Sequence, residues 1–258
     1  MDLFLFTTDV QYAREALRAG IDGLVVDWEH VGKEERQSSA DTEINHDTPD
    51  DLRRLRRAVD APILVRINAA CDETAAEVEE AIAGGATEIL LPMVRRVHEV
   101  EELLRIVDGR CGAGILIETA DAVRLTAALS ALPLTRVYAG LNDLAIDRGL
   151  PNIFTSLADG TVESVRDACA RPFGFGGLTH PDRGTPIPSR LLVSEMVRME
   201  CAFSFLRRSF RRDAERFGVA AVAGALREEI ARARQRPRKE LLADRDALAS
   251  LVRAEVAV

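Results

Sequence analysis

The amino-acid sequence predicts a (β/α)8 TIM barrel, an α/β fold that forms a single domain, and three observations favour it. Short apolar runs alternate with segments of helical periodicity along the 258 residues. Most of these runs are apolar on both faces, as in ILVRI and EILLPMV, which is typical of strands covered by helices on both sides. Polar residues follow many different runs, and a barrel gathers all such strand ends at one face.

Eight strands are predicted in chain order, each a short apolar run rich in β-branched or aromatic residues. They are Leu3–Phe6, Gly23–Trp28, Ile63–Ile67, Glu88–Val94, Gly114–Glu118, Arg136–Gly140, Phe173–Leu178 and Phe203–Leu206. Helical periodicity fills the intervals, and the first helix is expected to have Asp9 as its N-cap and to end at Gly20. The predicted helices are Asp9–Ala19, Asp50–Val59, Asp72–Ala83, Val97–Val107, Asp121–Leu132, Ser189–Cys201 and Val219–Arg234. An open doubly wound sheet has the same alternation, but no G-x-G-x-x-G motif follows the first strand, which favours the barrel.

The chain is expected to divide into a barrel, residues 1–234, and a charged helical tail, residues 235–258. The tail is too short to bury a core of its own, so it is expected to be an outer helix or to pack on a neighbouring subunit. Three long connections should lie at the face where the strands end and form a lid or a specificity wall. They are Gly32–Pro49, Leu150–Ala170 and Thr179–Pro188.

The composition argues against several classes of partner. A formal net charge of −8 disfavours nucleic acid and anionic membranes. Since no apolar run reaches about 18 residues, no membrane span is expected. The amino terminus is interpreted as a first strand rather than a leader peptide. The four cysteines are widely spaced, without a C-x-x-C pair, which indicates reduced thiols in a cytoplasmic protein rather than a zinc or redox site.

Two carboxylates follow adjacent predicted strands, Glu118 after strand 5 and Asp143 after strand 6. Such a pair suits a hard divalent cation, which keeps its other positions for water and substrate. Mg²⁺ or Mn²⁺ is expected, and Co²⁺ could substitute. The same pair could instead act as an acid and a base, and Asp143 could simply cap the helix that follows.

Strands 2 and 3 end in further ionisable residues. Arg66 should direct its guanidinium into the barrel, where it could bind a carboxylate or stabilise an enolate oxygen, or form an ion pair with Asp27 or Glu29. His30 follows Asp27 by three residues, so the two could form an Asp–His pair that moves protons.

Strands 7 and 8 are followed by residues that could bind substrate, namely His180, Arg207 and Arg208. Loops at this point of a barrel commonly bind phosphate or another anion. The alternatives are a purely structural place in the loop for His180, called loop punctuation below, and a solvated or subunit-facing basic run for the arginines. His46 and His98 are interpreted as surface residues.

Lysine is scarce, since Lys33 and Lys239 are the only two. A Schiff-base aldolase needs a lysine on a strand inside the barrel. Neither lysine lies on a predicted strand, so neither Schiff-base chemistry nor pyridoxal phosphate is expected, and carbonyl activation should fall to a metal.

Five strand-end motifs resemble the HpcH/HpaI aldolase and citrate lyase β-subunit superfamily of (β/α)8 barrels. They are GIDGLVVDWEH, ILVRIN, GATEILLPMV, ILIETADAV and VYAGLNDLAIDRG, and they cover roughly residues 15–150 in the order of the superfamily. Further on, GFGGLTHP is similar to a G-x-x-x-x-H-P turn of the citrate lyase branch.

The resemblance implies a role for each matched residue. Glu118 and Asp143 are similar to the metal ligands, and Arg66 to the arginine that holds the keto or enolate oxygen. His30 resembles the base of the aldolase branch with Asp27 as its partner. Two further assignments are Glu29 as an acid reaching the metal through water, and the backbone of Gly140, Leu141 and Asn142 as the receiver of the substrate carboxylate.

The chain departs from both branches. Leu116 stands where aldolases carry glutamine, and Gly140-Leu141 where they carry Gly-Pro. His30 stands where the citrate lyase branch carries aspartate. The resemblance therefore implies a homo-oligomeric, metal-dependent aldolase that acts on a small molecule through the enolate of a 2-oxo acid such as pyruvate. The alternatives are a lyase, synthase or hydrolase of a CoA thioester, and a barrel that binds a ligand without catalysis.

Overall fold

The fold is a closed barrel of parallel strands, which confirms the predicted class. The computed structural model describes residues 1–31 and 47–256. Within these ranges eight strands pair in chain order, and β8 closes the barrel against β1. They are β1 Asp2–Phe6, β2 Gly23–Asp27, β3 Ile63–Arg66, β4 Glu88–Leu91, β5 Gly112–Ile117, β6 Arg136–Ala139, β7 Phe173–Phe175 and β8 Phe203–Leu206.

Helices surround the barrel, and the part of the chain that is described contains twelve. They are α1 Val10–Arg18, α2 Pro49–Ala58, α3 Thr74–Ala83, α4 Val97–Val107, α5 Ala120–Ala131, α6 Leu141–Asp147, α7 Thr155–Ala158, α8 Thr161–Ala168, α9 Ser189–Arg198, α10 Arg208–Phe217, α11 Val219–Arg234 and α12 Arg238–Val256. The predicted N-cap is confirmed, because the Asp9 side chain accepts a hydrogen bond from the backbone N–H of Tyr12. Capping satisfies one of the N–H groups that the first turn leaves without a partner.

Alternation along each strand separates two apolar cores. Residues of one parity point into the barrel and form the smaller core, while those of the other parity pack under the helices. The interior core consists of Phe4, Val25, Leu64, Leu90, Leu116, Phe203 and Phe205, with Phe6 and Tyr138 packed against it. Because the parity continues to the strand ends, Asp27, Arg66 and Glu118 also face the interior.

The amino-terminal end of the barrel is closed by an ion pair between the buried Glu88 and the partly buried Arg136. Nε of Arg136 lies 2.7 Å from Oε1 of Glu88. The guanidinium also lies over the rings of Phe4 and Phe203, at 4.5 and 4.8 Å from their centroids. These contacts fill the end opposite the carboxyl ends of the strands, which leaves that other face for a site.

The structure contains helices that the sequence did not predict. The segment predicted as one insertion, 150–170, contains α7 and α8. α10 was not predicted, because its apolar positions stand among arginines in the sequence; Phe210 and Ala214 are nevertheless buried. Of the three predicted connections, most of Gly32–Pro49 lies outside the described residues.

The tail forms a helix that lies on its own barrel. α12 packs against α9 and α7, and Leu241, Leu248 and Val252 are buried. The helix also pairs with the barrel through Arg245 and Glu163, whose side chains lie 3.0 Å apart. No helix in the described ranges is both long and apolar enough to cross a membrane.

Candidate active site

A cavity of about 170 Å³ opens at the carboxyl ends of the strands. It is lined by Arg66, Leu116, Glu118, Tyr138, Gly140, Leu141, Asn142, Asp143, Ile153, Phe154, Gly176, Gly177, Leu178, Phe205, Arg207, Arg208 and Ser209. Eight of these residues belong to the site predicted from the sequence. They are Arg66, the carboxylates Glu118 and Asp143, the turn Gly140, Leu141 and Asn142 after β6, and Arg207 and Arg208 after β8. Strand parity and the β6–α6 turn thus bring most of the predicted residues together.

Glu118 follows β5 directly and is buried. Its Oε1 atom accepts a hydrogen bond of 2.8 Å from the backbone N–H of Met93. Burial is the main cause that raises the pKa of Glu118 to about 8; the charges of Asp143 and Glu29 act in the same direction, and that of Arg66 acts against them. The local environment therefore opposes a negative charge on this carboxyl group.

Asp143 lies in the first turn of α6 and is also buried. Gly140 occupies the N-cap position of that helix, so Asp143 is not the cap, which was one alternative. Gly140 packs tightly on the first carboxylate, since a Cβ atom added there would lie 2.3 Å from Oε2 of Glu118. The β6–α6 turn can bring Asp143 beside Glu118 because residue 140 has no side chain.

Arg66 is held by two acidic residues at the edge of the cavity. Its Nε donates to Oδ1 of Asp27 at 2.8 Å and its Nη2 to Oδ2 at 2.7 Å. Nη1 lies 3.0 Å from Oε2 of Glu29. Although burial lowers the pKa of Arg66, the charges of Asp27 and Glu29 raise it well above its ordinary value. The guanidinium therefore stays protonated and fixed in place, and the ion pair that was an alternative is present.

The structure does not bring the predicted pair of Asp27 and His30 together. Asp27 is bound by Arg66, while the exposed ring of His30 lies outside the cavity with Nδ1 2.8 Å from the carbonyl oxygen of Trp28. Asp27 ends β2 and points into the barrel, where Arg66 is its partner in the strand register. His30 lies beyond the strand, so sequence spacing does not bring the two side chains together.

His180 does not line the cavity either. Its ring lies 5.9 Å from that of Phe217, and its Nδ1 is 3.4 Å from the backbone N–H of Asp182, which fits the alternative of loop punctuation. His98 is exposed at the start of α4, as predicted, and Lys239 is exposed on α12. His46 and Lys33 lie outside the described residues.

The aromatic residues that line or adjoin the cavity were not identified from the sequence. Tyr138 lines it and stacks on Phe205 with ring centroids 4.3 Å apart. Arg207 lies 4.4 Å from the centroid of the Phe6 ring, with Nη2 3.4 Å from Oδ2 of Asp27. The signal was the alternation of β6, in which Tyr138 stands two residues before Gly140 and so shares its face.

A second and larger cavity, about 960 Å³, adjoins the first. The two share lining residues such as Asn142, Phe154 and Arg208. The larger one is also lined by Arg183, Arg212 and Arg216, for which the described part of the chain provides no ion pair. The combined space runs from Glu118 and Asp143 to a groove in which arginines outnumber the acidic residues Asp213 and Glu255.

Fold and cavity together define a (β/α)8-barrel protein with an open cavity at the carboxyl ends of its strands, where barrels of this class carry their sites. The model of the HpcH/HpaI aldolase/citrate lyase family matches residues 1–152. The chain therefore belongs to this enzyme family, whose description covers aldolases and citrate lyases.

Three solved structures share the fold. A HpcH/HpaI aldolase/citrate lyase family protein from Burkholderia cenocepacia J2315 has a TM-score of 0.65 and 16% identity, covering 88% of this chain and 93% of its own. The citrate synthase SbnG has a TM-score of 0.61 and 18% identity, covering 88% and 94%. RipC from Yersinia pestis has a TM-score of 0.57 and 16% identity, covering 93% and 98%. A comparison with curated proteins gave no match.

Proposed function

We propose that the chain is a divalent-metal-dependent carbon–carbon lyase of the aldolase type, acting through the enolate of a pyruvate-like 2-oxo acid. The observation that carries the proposal is the buried pair Glu118 and Asp143, which face one cavity and repel each other. Membership of the aldolase/citrate lyase family supports the same chemistry.

The donor chemistry fits a hard divalent cation. Two carboxylates whose mutual repulsion and burial oppose ionisation gain stability when a cation lies between them. In the described residues no cluster of three or more His, Cys, Asp or Glu side chains is placed to hold a metal. Glu118 and Asp143 would thus be two protein ligands of Mg²⁺, Mn²⁺ or Co²⁺, and the ion would supply Lewis-acid activation of the carbonyl group.

Other residues of the cavity would bind and orient the substrate. Leu141 and Asn142 line it at the first turn of α6, where backbone N–H groups lack helical acceptors and suit a carboxylate. Arg66, kept protonated by its two acidic partners, would stabilise the enolate oxygen. The assignment of His30 as base loses its main support, because Asp27 is bound by Arg66.

The test is the variant Asp143→Ala. We expect it to lose metal-dependent release of pyruvate from aldol substrates while its circular dichroism spectrum and unfolding temperature stay close to those of the wild type. Titration calorimetry should also show loss of Mg²⁺ binding, with and without oxalate. Asp60→Ala, at an exposed aspartate before β3, is the matched control. Full turnover in Asp143→Ala would contradict the proposal. If the wild-type chain binds metal and oxalate but shows no turnover, a non-catalytic barrel is favoured.

The larger cavity favours a second candidate, a lyase, synthase or hydrolase of a CoA thioester. A volume of about 960 Å³ exceeds the needs of a small acid, and Arg183, Arg212 and Arg216 suit a phosphorylated tail. If so, CoA should bind in calorimetry and Arg212→Ala should weaken it about tenfold. If CoA does not bind, this second candidate is contradicted and the aldolase acting on small acids remains.

A further inference from the structure

Tyr138 is held rigidly at the floor of the smaller cavity. Its ring stacks on Phe205 with an interplanar angle of 21° and packs against Phe203, 6.1 Å away. Along the chain it lies between the partly buried Arg136 and Gly140, which shares its parity and packs against Glu118. The hydroxyl group is thus fixed near the proposed metal site by packing.

The hydroxyl group occupies a slot left by a glycine directly after the neighbouring strand β7. A Cβ atom added at Gly176 would lie 2.3 Å from the Tyr138 oxygen. Both residues line the cavity. No hydrogen bond of this hydroxyl group to the described parts of the chain is found, so its donor is available to a molecule in the cavity.

The surroundings select a hydrogen-bond donor. Arg66 and Arg207 line the same cavity as Tyr138, and their charges act on its hydroxyl group, as does that of Glu118. A phenol is neutral near pH 7, and burial raises the pKa of Tyr138 further. The group therefore keeps its proton and donates it in a hydrogen bond.

We propose that the Tyr138 hydroxyl group donates a hydrogen bond to the substrate oxygen on which negative charge develops. This inference rests on the proposed function, because it takes a 2-oxo acid as the occupant of the cavity. It makes Tyr138 a substrate-contacting residue that acts beside Arg66. Gly176 has the supporting role of leaving room for the hydroxyl group.

Tyr138→Phe removes the oxygen atom and keeps the ring stack. Loss of one oxyanion donor typically costs about 100-fold or more in kcat. We expect kcat to fall by about that factor with a small change in KM, and Mg²⁺ affinity to stay within about twofold of the wild type. Tyr12→Phe is the matched control, since Tyr12 is the other tyrosine and its buried hydroxyl group has no partner in the described structure. Turnover of Tyr138→Phe within about twofold of the wild type overturns the inference.

A spectroscopic measurement separates this inference from the proposed function. With ¹³Cζ-labelled tyrosine, two resonances are expected, and Tyr138→Phe identifies one of them. Adding oxalate with Mg²⁺ should shift the Tyr138 resonance and leave that of Tyr12 in place. If oxalate binds but the resonance does not move, only the inference fails. If oxalate does not bind at all, the inference and the proposed function both fail.

The variant Gly176→Ala tests whether this glycine leaves room for the Tyr138 hydroxyl group. Its methyl group should collide with the hydroxyl group in the wild type and lower kcat. In the Tyr138→Phe background the same change should cost little more. Equal losses in both backgrounds would mean that Gly176 acts independently of Tyr138, contradicting the slot.

Discussion

At the scale of the residue, the Glu118 carboxyl group is held where ionisation is opposed. Desolvation is the main cause, with Asp143 and Glu29 adding repulsion. Positions such as Glu118 and Arg66 could be predicted from the sequence, because residues at the ends of parallel strands meet at one face. For Asp27 the sequence left two partners open, Arg66 and His30, because register with β3 rather than spacing along the chain decides between them.

The first prediction concerns the stability of the metal-free chain. An unfolded glutamate has a pKa near 4.5, and Glu118 in the folded chain near 8. Between these values the folded state binds more protons, so the free energy of unfolding should fall as pH rises, by at most about 1.4 kcal/mol per pH unit. Urea unfolding in EDTA from pH 5 to pH 8 measures this slope.

Glu118→Gln is the control for that slope, because glutamine is neutral at every pH. Its unfolding free energy should depend less on pH, and Mg²⁺ should reduce the pH-dependent loss in the wild type. An equal slope in the wild type and in Glu118→Gln would assign the effect to other groups.

At the scale of the element, the β6–α6 turn determines how close its helix comes to β5. A Cβ atom added at Gly140 would lie 2.8 Å from Cβ of Glu118, as well as against its carboxylate. Gly140→Ala should therefore displace Glu118, destabilise the fold by about 1–3 kcal/mol and weaken Mg²⁺ binding, measured by urea unfolding and calorimetry.

Gly224→Ala is the matched control within α11. A Cβ atom added there meets nothing within 4 Å, and alanine in a helix interior is favoured over glycine by about 0.5–1 kcal/mol. The control should unfold at a higher urea concentration than the wild type. If both variants gain stability, the close approach of Gly140 to Glu118 is not a constraint in solution.

The elements themselves were largely predictable, since alternating periodicity gives strands and helices different patterns. β8 begins and ends where it was predicted, as does α11. α10 was not predicted, because its buried face consists of few residues, Phe210 and Ala214, and these stand within a run dominated by arginine. Such a run is more typical of a solvated segment, and only the packing against the barrel reveals its buried face.

At the scale of the whole molecule, an ionic cluster lies at each end of the barrel within the described residues. Asp27, Glu29 and Arg66 lie at the carboxyl end, and Glu88 and Arg136 at the amino end. In this fold the carboxyl end carries function and the amino end stability. Leaving one charge of a buried pair without its partner costs about 3–5 kcal/mol.

The two ends should therefore respond differently to the same substitution. Arg136→Met and Arg66→Met should each lower stability by a few kcal/mol, because each leaves a buried carboxylate with fewer partners. At a temperature where both variants are folded, only Arg66→Met should lower kcat/KM, by about 100-fold or more. Comparable losses of kcat/KM per folded molecule would contradict this division between the ends.

The last prediction concerns the tail and its place in the cooperative unit. Leu248 of α12 is buried, whereas Leu251, three residues on, is 41% exposed. Leu248→Ala should cost about 2–5 kcal/mol and Leu251→Ala less than about 0.5 kcal/mol, measured by thermal and urea unfolding. Because α12 packs on α9 and α7, the Leu248→Ala variant should still unfold in one transition, at a lower temperature than the wild type. Two transitions, with the larger one at the wild-type temperature, would mean that α12 is not part of the unit that unfolds with the barrel.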